Sequence, residues 1–360
     1  MYHTLSIGLR DLEFDHVFMW GRKRPEDPAR YWWIPIGMPR IGKKFAQSVF
    51  FLFAHKDNTH VSRDRPLGTG FFVAKHSDSL PFTWHIYAVS NWHVARDAPF
   101  VRVNTWQSSR ILEVEHEDWI NLLREDLAAA DVTDHLGLDY DTLSWSDEFS
   151  WVDESSFVQP PEKGMWRAEI GDDTFMIGLF EDHRRGERNS PVGRFGIIAA
   201  IPNDSVPVKL SENDEFPAPG YLNDMRSRTG FSGSRVWQGA IDLGGDNPWD
   251  DPKNEGVIFV KPFVKLLGVH RGQIWERTEV KECQADSRLV GAELSVASSM
   301  TAVVPSWKIS ALLENSALKE QRDQRDRRED RIALHAKIRG MIRSGEMLPK
   351  AYQAPAREPR

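Results

Sequence analysis

The 360-residue chain has a single cysteine, Cys283, so it can form no internal disulfide and must be held by packing alone. Long apolar runs are absent too. One of the longest, "SVFFLFA" at 48–54, has the length of a strand and is too short to span a bilayer. There is no excess of positive charge. Lys and Arg total 46 against 53 Asp and Glu, a net charge of -7, which argues against a general nucleic-acid binder. The first residues, "MYHTLSIGLRDLEFDHVF", lack a basic stretch followed by a long apolar one, so no secretory signal is read and a cytoplasmic location is expected. No His-Glu-x-x-His or paired-cysteine spacing occurs, and "HEDW" at 116–119 is too short to count. The expectation is a protein without metal, cofactor, nucleic-acid or membrane partner.

What is present is a succession of short β-type runs. Residues 1–45 are irregular and rich in proline, basic residues and tryptophan, and read as a wrapping extension. From Gln47 onward come "QSVFFLFA", "GTGFFVA" (68–74), "WHIYAVS" (84–90), "SSRILEVE" (108–115), "TFMIGLF" (174–180), "RFGIIAAI" (194–201), "SVPVKL" (205–210), "SRVW" (234–237), "GVIFV" (256–260) and "KLLGVHRG" (265–272). Many short strands at this spacing predict an all-β sandwich or barrel. Two stretches look like insertions: the acidic, aromatic 133–165 and the turn-rich 239–255. After "VVPSW" (303–307) the chain turns helical and densely charged. Leu334, Ile338, Met341 and Ile342 make one apolar helix face, expected to dock on the barrel or on another subunit. The preceding charge run reads as a solvated surface with pairs such as Asp323 with Arg327.

"GYLNDMRSRTGFSGSRVW" (220–237) puts Ser232 between glycines. Turns use serine and glycine routinely, so the motif matters only if a base and an orienting acid accompany it. His93, in "WHIYAVSNWHVARD", follows an apolar strand. That position fixes a side chain rigidly while leaving it open to a cleft, although a histidine satisfied by a turn would look the same. Asp126, in "WINLLREDLAAADV", precedes a small apolar run, with Asp131, Asp139 and Asp141 as rivals. It could hold the imidazole tautomer or simply cap a helix, and local sequence leaves both open.

The order His93, Asp126, Ser232 is that of chymotrypsin-like enzymes. With "GTGFFVA", "VSNWHV", "EDLAAADV", "GDDTFMIGLF", "GFSGSRVW" and "LLGVHRG" in sequence, residues 46–312 resemble the trypsin-like serine peptidase family, in particular its bacterial, disulfide-free members. The resemblance implies two six-stranded β-barrels and then a C-terminal helix, with boundaries at 1–45 (extension), 46–165 (first barrel with insertion), 166–312 (second barrel) and 313–360 (charged helical tail). It implies His93, Asp126 and Ser232 as the catalytic triad, and the Gly230 and Ser232 N–H groups as the oxyanion hole. The expected partners are a protein or peptide substrate and a regulatory protein. The competing readings are a non-catalytic trypsin-like fold that binds proteins, and an esterase using the same triad. Arg235 departs from the family, which often has proline there, and the segment from Asp126 to Ser232 is long.

The resemblance also places a substrate pocket between "MRSRTG" (225–230) and "GVHRG" (268–272), with Ser227, Gly268, His270 and Arg271 as its lining. His270 matches the histidine that binds the substrate carboxylate in glutamate-specific members. With Arg226, Arg228 and Arg271 nearby, the expectation is a cationic pocket for an acidic side chain. The structural alternative is that these arginines point to solvent and His270 packs beneath its strand.

Overall fold

The computed structural model describes residues 41, 45, 47–54, 66–80, 83–104, 109–136, 138–139, 144–145, 151–160, 168–180, 188–211, 214, 217–242, 261–279 and 293–328. Among them are sixteen strands. The first ten are β1 (Val49–Phe53), β2 (Pro66–His76), β3 (Trp84–Asn91), β4 (Phe100–Asn104), β5 (Ser109–Glu113), β6 (Ile120–Leu122), β7 (Leu127–Asp131), β8 (Leu138–Asp139), β9 (Ser144–Trp145) and β10 (Val152–Asp153). The other six are β11 (Asp173–Gly178), β12 (Val192–Ala200), β13 (Tyr221–Asp224), β14 (Arg235–Asp242), β15 (Lys261–Glu279) and β16 (Glu293–Pro305). Three helices matter below: α1 (Trp92–Ala95), α2 (Ser306–Leu313) and α3, residues 316–328.

The fold is all-β, as the sequence pattern predicts. β11-β12-β13-β16-β15-β14 closes into a six-stranded barrel. The first sheet runs β5-β4-β1-β2-β3-β7-β6, and β10, from the first insertion, pairs in parallel with β2. β8 and β9 form a separate hairpin. Strands of the first sheet are apolar on both faces, because alternate residues serve two cores. In β1, Phe50 and Leu52 face the interior of the first sheet, with Phe72, Ile86 and Val101. Val49, Phe51 and Phe53 face the other way, toward Phe175, Ile177 and Trp237 of the second barrel and Ile309 and Leu312 of α2. This second cluster joins the two units. A third fills the closed barrel with Met176, Ile198, Tyr221, Phe231 and Val303.

Several expected elements differ. "SVPVKL" is not a strand; only Val208 makes an isolated bridge, to Ala218. "GVIFV" and the helix face at Leu334, Ile338, Met341 and Ile342 lie outside the described residues. Conversely, "LAAAD" is β7 rather than a helix start.

The charge run after α2 is not merely a solvated surface. α3 docks on the first sheet through ionic and hydrogen-bonding side chains. Arg322 donates to Tyr87 Oη (3.1 Å) and the Leu313 carbonyl (2.6 Å). Arg325 reaches Asp131 at 2.5 Å and Asp134 at 3.2 Å. Asp326 accepts from Ser77 and Ser79, both at 2.7 Å, and from His85 Nε2 at 3.0 Å. Arg325 Nη1 also stands 3.2 Å from His85 Nδ1, so the partners fit a neutral imidazole carrying its proton on Nε2. Within α3, Arg327 meets Glu320 (3.8 Å).

Burial holds His85 below its ordinary pKa against the pull of Asp326. For Asp326, burial alone would raise the carboxyl, but the Ser79 and Ser77 hydrogen bonds and His85 outweigh it and leave the group lowered. Both folded pKa values lie below the unfolded ones, so both contributions are present above the unfolded pKa and are lost as pH falls. For His85 the loss starts near pH 6.5, at up to ~1.4 kcal/mol per pH unit. Urea midpoints should therefore drop between pH 7.5 and pH 5.5, and His85→Gln should flatten that slope. Identical pH dependence in the variant would exclude His85 as its source. Truncation after Asn315 should lower the midpoint at pH 7.5, because it leaves Asp131 without Arg325.

Candidate active site

β3 runs from the α3 docking site straight into α1, which carries His93. Its partner β7 begins immediately after Asp126, and Ser90 and Asn91 pair with Ala128 and Leu127. The ladder thus brings residue 126 beside residue 93. Asp126 is the one non-glycine residue with positive φ among the described residues (φ 54, ψ 45). Left-handed backbone is uncommon for a side-chain-bearing residue and is tolerated best by Asn and Asp. Here it turns the carboxylate onto α1. Oδ1 accepts the His93 backbone N–H at 2.9 Å and Oδ2 accepts Nδ1 at 2.6 Å. The Asp126 carbonyl accepts from Trp92 N (3.1 Å) and Asn91 Nδ2 (3.0 Å). A carboxylate fixed this way holds Nδ1–H and leaves Nε2 as the free ring nitrogen. The imidazole side chain is 40% exposed and the carboxylate 14%, so the base opens outward while its partner is sheltered.

The serine lies in two consecutive tight turns that share Phe231. Phe231 N donates to Arg228 O at 3.2 Å, and Ser234 N to Phe231 O at 2.9 Å. The third residue of each turn is a glycine with positive φ, Gly230 at +99° and Gly233 at +83°. A type II turn requires that conformation at that position. Neither Gly230 N nor Ser232 N donates to an acceptor among the described residues, whereas Phe231, Gly233 and Ser234 all do. Phe231 anchors the loop by filling the barrel core, with Arg194 over its ring at 5.8 Å.

Thr69 clamps this loop to the first sheet. Its N–H donates to Ser232 O (2.9 Å) and its hydroxyl to Gly230 O (2.7 Å). The same hydroxyl accepts from Leu179 N (2.9 Å), and the Thr69 carbonyl accepts from Ser90 Oγ (2.7 Å). A Cβ on Gly68 would stand 2.7 Å from Val94 and 3.0 Å from Ser232 O, so the residue after His93 and the serine meet at Gly68. Among the described residues no hydrogen bond yet joins His93 Nε2 to Ser232 Oγ. Sequence reasoning passed over Thr69, although "GTGFFVA" contains it.

Asp131, a rival for Asp126, goes instead to Arg325 and Thr133. Asp139 lies in the β8–β9 hairpin, and Asp141 lies outside the described residues. Arg235, where the resembled family often has proline, is buried against the Phe45 and Trp237 rings, and burial pushes its guanidinium down to about 9.

The expected pocket lining is rearranged. Gly268 sits within the β15–β16 ladder, where a Cβ would stand 1.8 Å from Val304 O, so its lack of a side chain serves packing. His270 is 1% exposed and its Nε2 lies 2.8 Å from Ser227 Oγ. Burial, with the His93 imidazole adding to it, pushes His270 down to about 3, so it is neutral. Arg226 and Arg228 are exposed. Arg271 turns inward to Asp214 at 2.9 Å. Ser227 and His270 thus form a buried, hydrogen-bonded pair with a neutral imidazole.

No family model matches the chain, and no curated protein does. Among solved structures, the protease domain of MamO from Magnetospirillum magneticum is 13% identical, over 76% of this chain and 98% of its own, with a TM-score of 0.39. The active form of the Rv3671c protease from M. tuberculosis is 16% identical, over 75% and 81%, at 0.38. The HtrA-type protease AlgW with decapeptide is 13% identical, over 76% and 66%, at 0.40. Likeness at this level adds nothing to what the geometry itself shows.

A side chain at Gly233 would place its Cβ 1.9 Å from Thr69 O and 2.3 Å from Ser90 Oγ, in a backbone conformation that disfavours it. Gly233→Ala should therefore destabilise the fold by roughly 2–4 kcal/mol, through overpacking and strain together. Denaturation of purified variant and wild type would measure this, and a loss below ~0.5 kcal/mol would mean that the turn is not clamped as described.

Proposed function

We propose that this protein is a serine endopeptidase that cleaves peptide bonds through an acyl-enzyme. The observation that carries this reading is the double grip of Asp126 on His93, at 2.9 Å to the backbone N–H and 2.6 Å to Nδ1, next to a serine turn with two N–H groups to spare. Ser232 Oγ attacks the carbonyl carbon while His93 Nε2 takes its proton. The oxyanion that forms is received by the N–H groups of Gly230 and Ser232. Collapse breaks the C–N bond, and His93 returns the proton to the leaving amine. Water then attacks the ester by the same route in reverse roles. Asp126 fixes the tautomer and stabilises the imidazolium throughout. The Ser232–His93 hydrogen bond belongs to the substrate complex in this reading, since catalytic contacts often tighten only there. The neutral Ser227–His270 pair would meet the side chain before the cut by hydrogen bonding rather than by net charge.

The missing Ser232–His93 hydrogen bond favours one alternative, a trypsin-like fold that binds proteins without cleaving them. A fluorophosphonate probe separates the two. Wild type should be labelled, and Ser232→Ala and His93→Ala should not, with their folds intact by circular dichroism. Asp126→Asn should lose ~10⁴-fold in turnover, because the imidazole is then held in the wrong tautomer. An unlabelled wild type would decide for the scaffold.

A further inference from the structure

β12 outruns one of its neighbours. Its register with β13 stops at Ile197, which pairs with Asp224, yet β12 begins at Val192. Among the described residues no strand pairs with 192–196 on that side, while β11 occupies the other. An open groove of about 590 Å³ follows this edge, lined by residues 193–197 of β12 and by 224–226 opposite. Two glycines mark its ends. A Cβ on Gly196 would stand 2.3 Å from Asp224 O, where the strands last touch, and one on Gly193 would meet Ile41 Cδ1 at 2.9 Å.

Successive residues of β12 face opposite ways. Arg194 pairs with Met176, a residue of the barrel core, so its side chain points inward, over the Phe180 and Phe231 rings at 5.3 and 5.8 Å. Its Nε is buried without an acceptor, and no carboxylate among the described residues pairs with it. A buried donor left this way is costly until something accepts from it. Phe195 pairs with Phe175, whose side chain faces out of the barrel, so Phe195 and Ile197 lie on the outer face, 52% and 42% exposed. Asp224, the one carboxylate of the lining, stands opposite Ile197 on that outer face, and Arg226 is exposed beyond it.

Unpaired main chain is a template for another strand. A strand added here sets one side chain beside Arg194, inside, and the next beside Phe195, outside. The inner one meets a guanidinium that lacks an acceptor, and the outer one an exposed aromatic ring. We propose that this edge of β12 is a docking groove for an extended peptide segment that alternates acidic and apolar residues, its inner carboxylate held by Arg194. Arg226 offsets the charge of Asp224 at the mouth. The groove uses none of the reacting atoms of Ser232 and His93, so it does not rest on the peptidase reading.

The test is fluorescence anisotropy with labelled Val-Glu-Val-Glu-Val and full-length Ser232→Ala protein, which cannot cut the probe through that serine. The probe should bind, and Val-Gln-Val-Gln-Val should bind at least about tenfold more weakly, as the loss of a charge-assisted hydrogen bond requires. Val-Val-Glu-Glu-Val, equal in charge but without the alternation, should also bind more weakly. Adding Arg194→Met should make the Glu and Gln probes bind alike. Adding Ile197→Glu, a change at an exposed position that spares the core, should abolish binding of the Glu probe even if the Arg194 variant does not fold. Equal affinity of the Glu and Gln probes before either change would overturn the proposal, as would undiminished binding to the Ile197 variant or no binding of the Glu probe at millimolar concentration. Failure of wild type to label with fluorophosphonate would touch the peptidase reading alone.

Discussion

The candidate site depends on one interlock, the meeting of Thr69 with the serine turn. Backbone and hydroxyl of a single buried residue bind Ser232 O, Gly230 O, Leu179 N and Ser90 Oγ, four points drawn from both barrels. Each barrel builds half of the site on its own terms: the first holds His93 and Asp126 through the β3–β7 ladder, the second holds Ser232 through a pair of glycine turns. Neither half carries information about the other. Their relative position is set by the apolar cluster between the barrels and, more locally, by the Thr69 clamp, which no water can replace at 0% exposure.

The parts of this arrangement that were legible in the sequence were those encoded locally. A histidine at the end of an apolar strand, a serine between glycines and period-2 runs of β-branched and aromatic residues each declare themselves within a few positions. β13 and β16 did not: "YLND" and the outer "ELSVASS" mix polar and apolar residues without a clean alternation, and the latter is largely exposed. Asp126 could not be separated from its rivals because its role comes from a left-handed backbone conformation, which the sequence does not spell out. Asp131 shows the same limit from the other side. Similar in type and only five positions on, it is consumed by Arg325 from nearly two hundred residues away.

The docking of α3 is hidden from the sequence for a related reason. Hydrophobic periodicity finds helices that bury apolar faces, and this one buries Arg322, Arg325 and Asp326 instead. Such contacts are specific rather than strongly stabilising. Removing one partner leaves an uncompensated buried charge, while the intact set contributes modestly. The helix is therefore held in one register, with Leu318 as the fully buried apolar residue in its first turn.

β3 joins these themes, since its first half receives α3 at His85 and Tyr87 and its end delivers His93. A chain is synthesised from its N-terminus, and its domains fold in that order. The strand that leads into α1 is made early, but among the described residues the last side chains that pack against it are Arg325 and Asp326. The polar seam of the first sheet is thus closed by residues that lie beyond the entire second barrel in the chain. The side chains that complete the support of β3 therefore come from the far end of the described chain, after every strand of the second barrel.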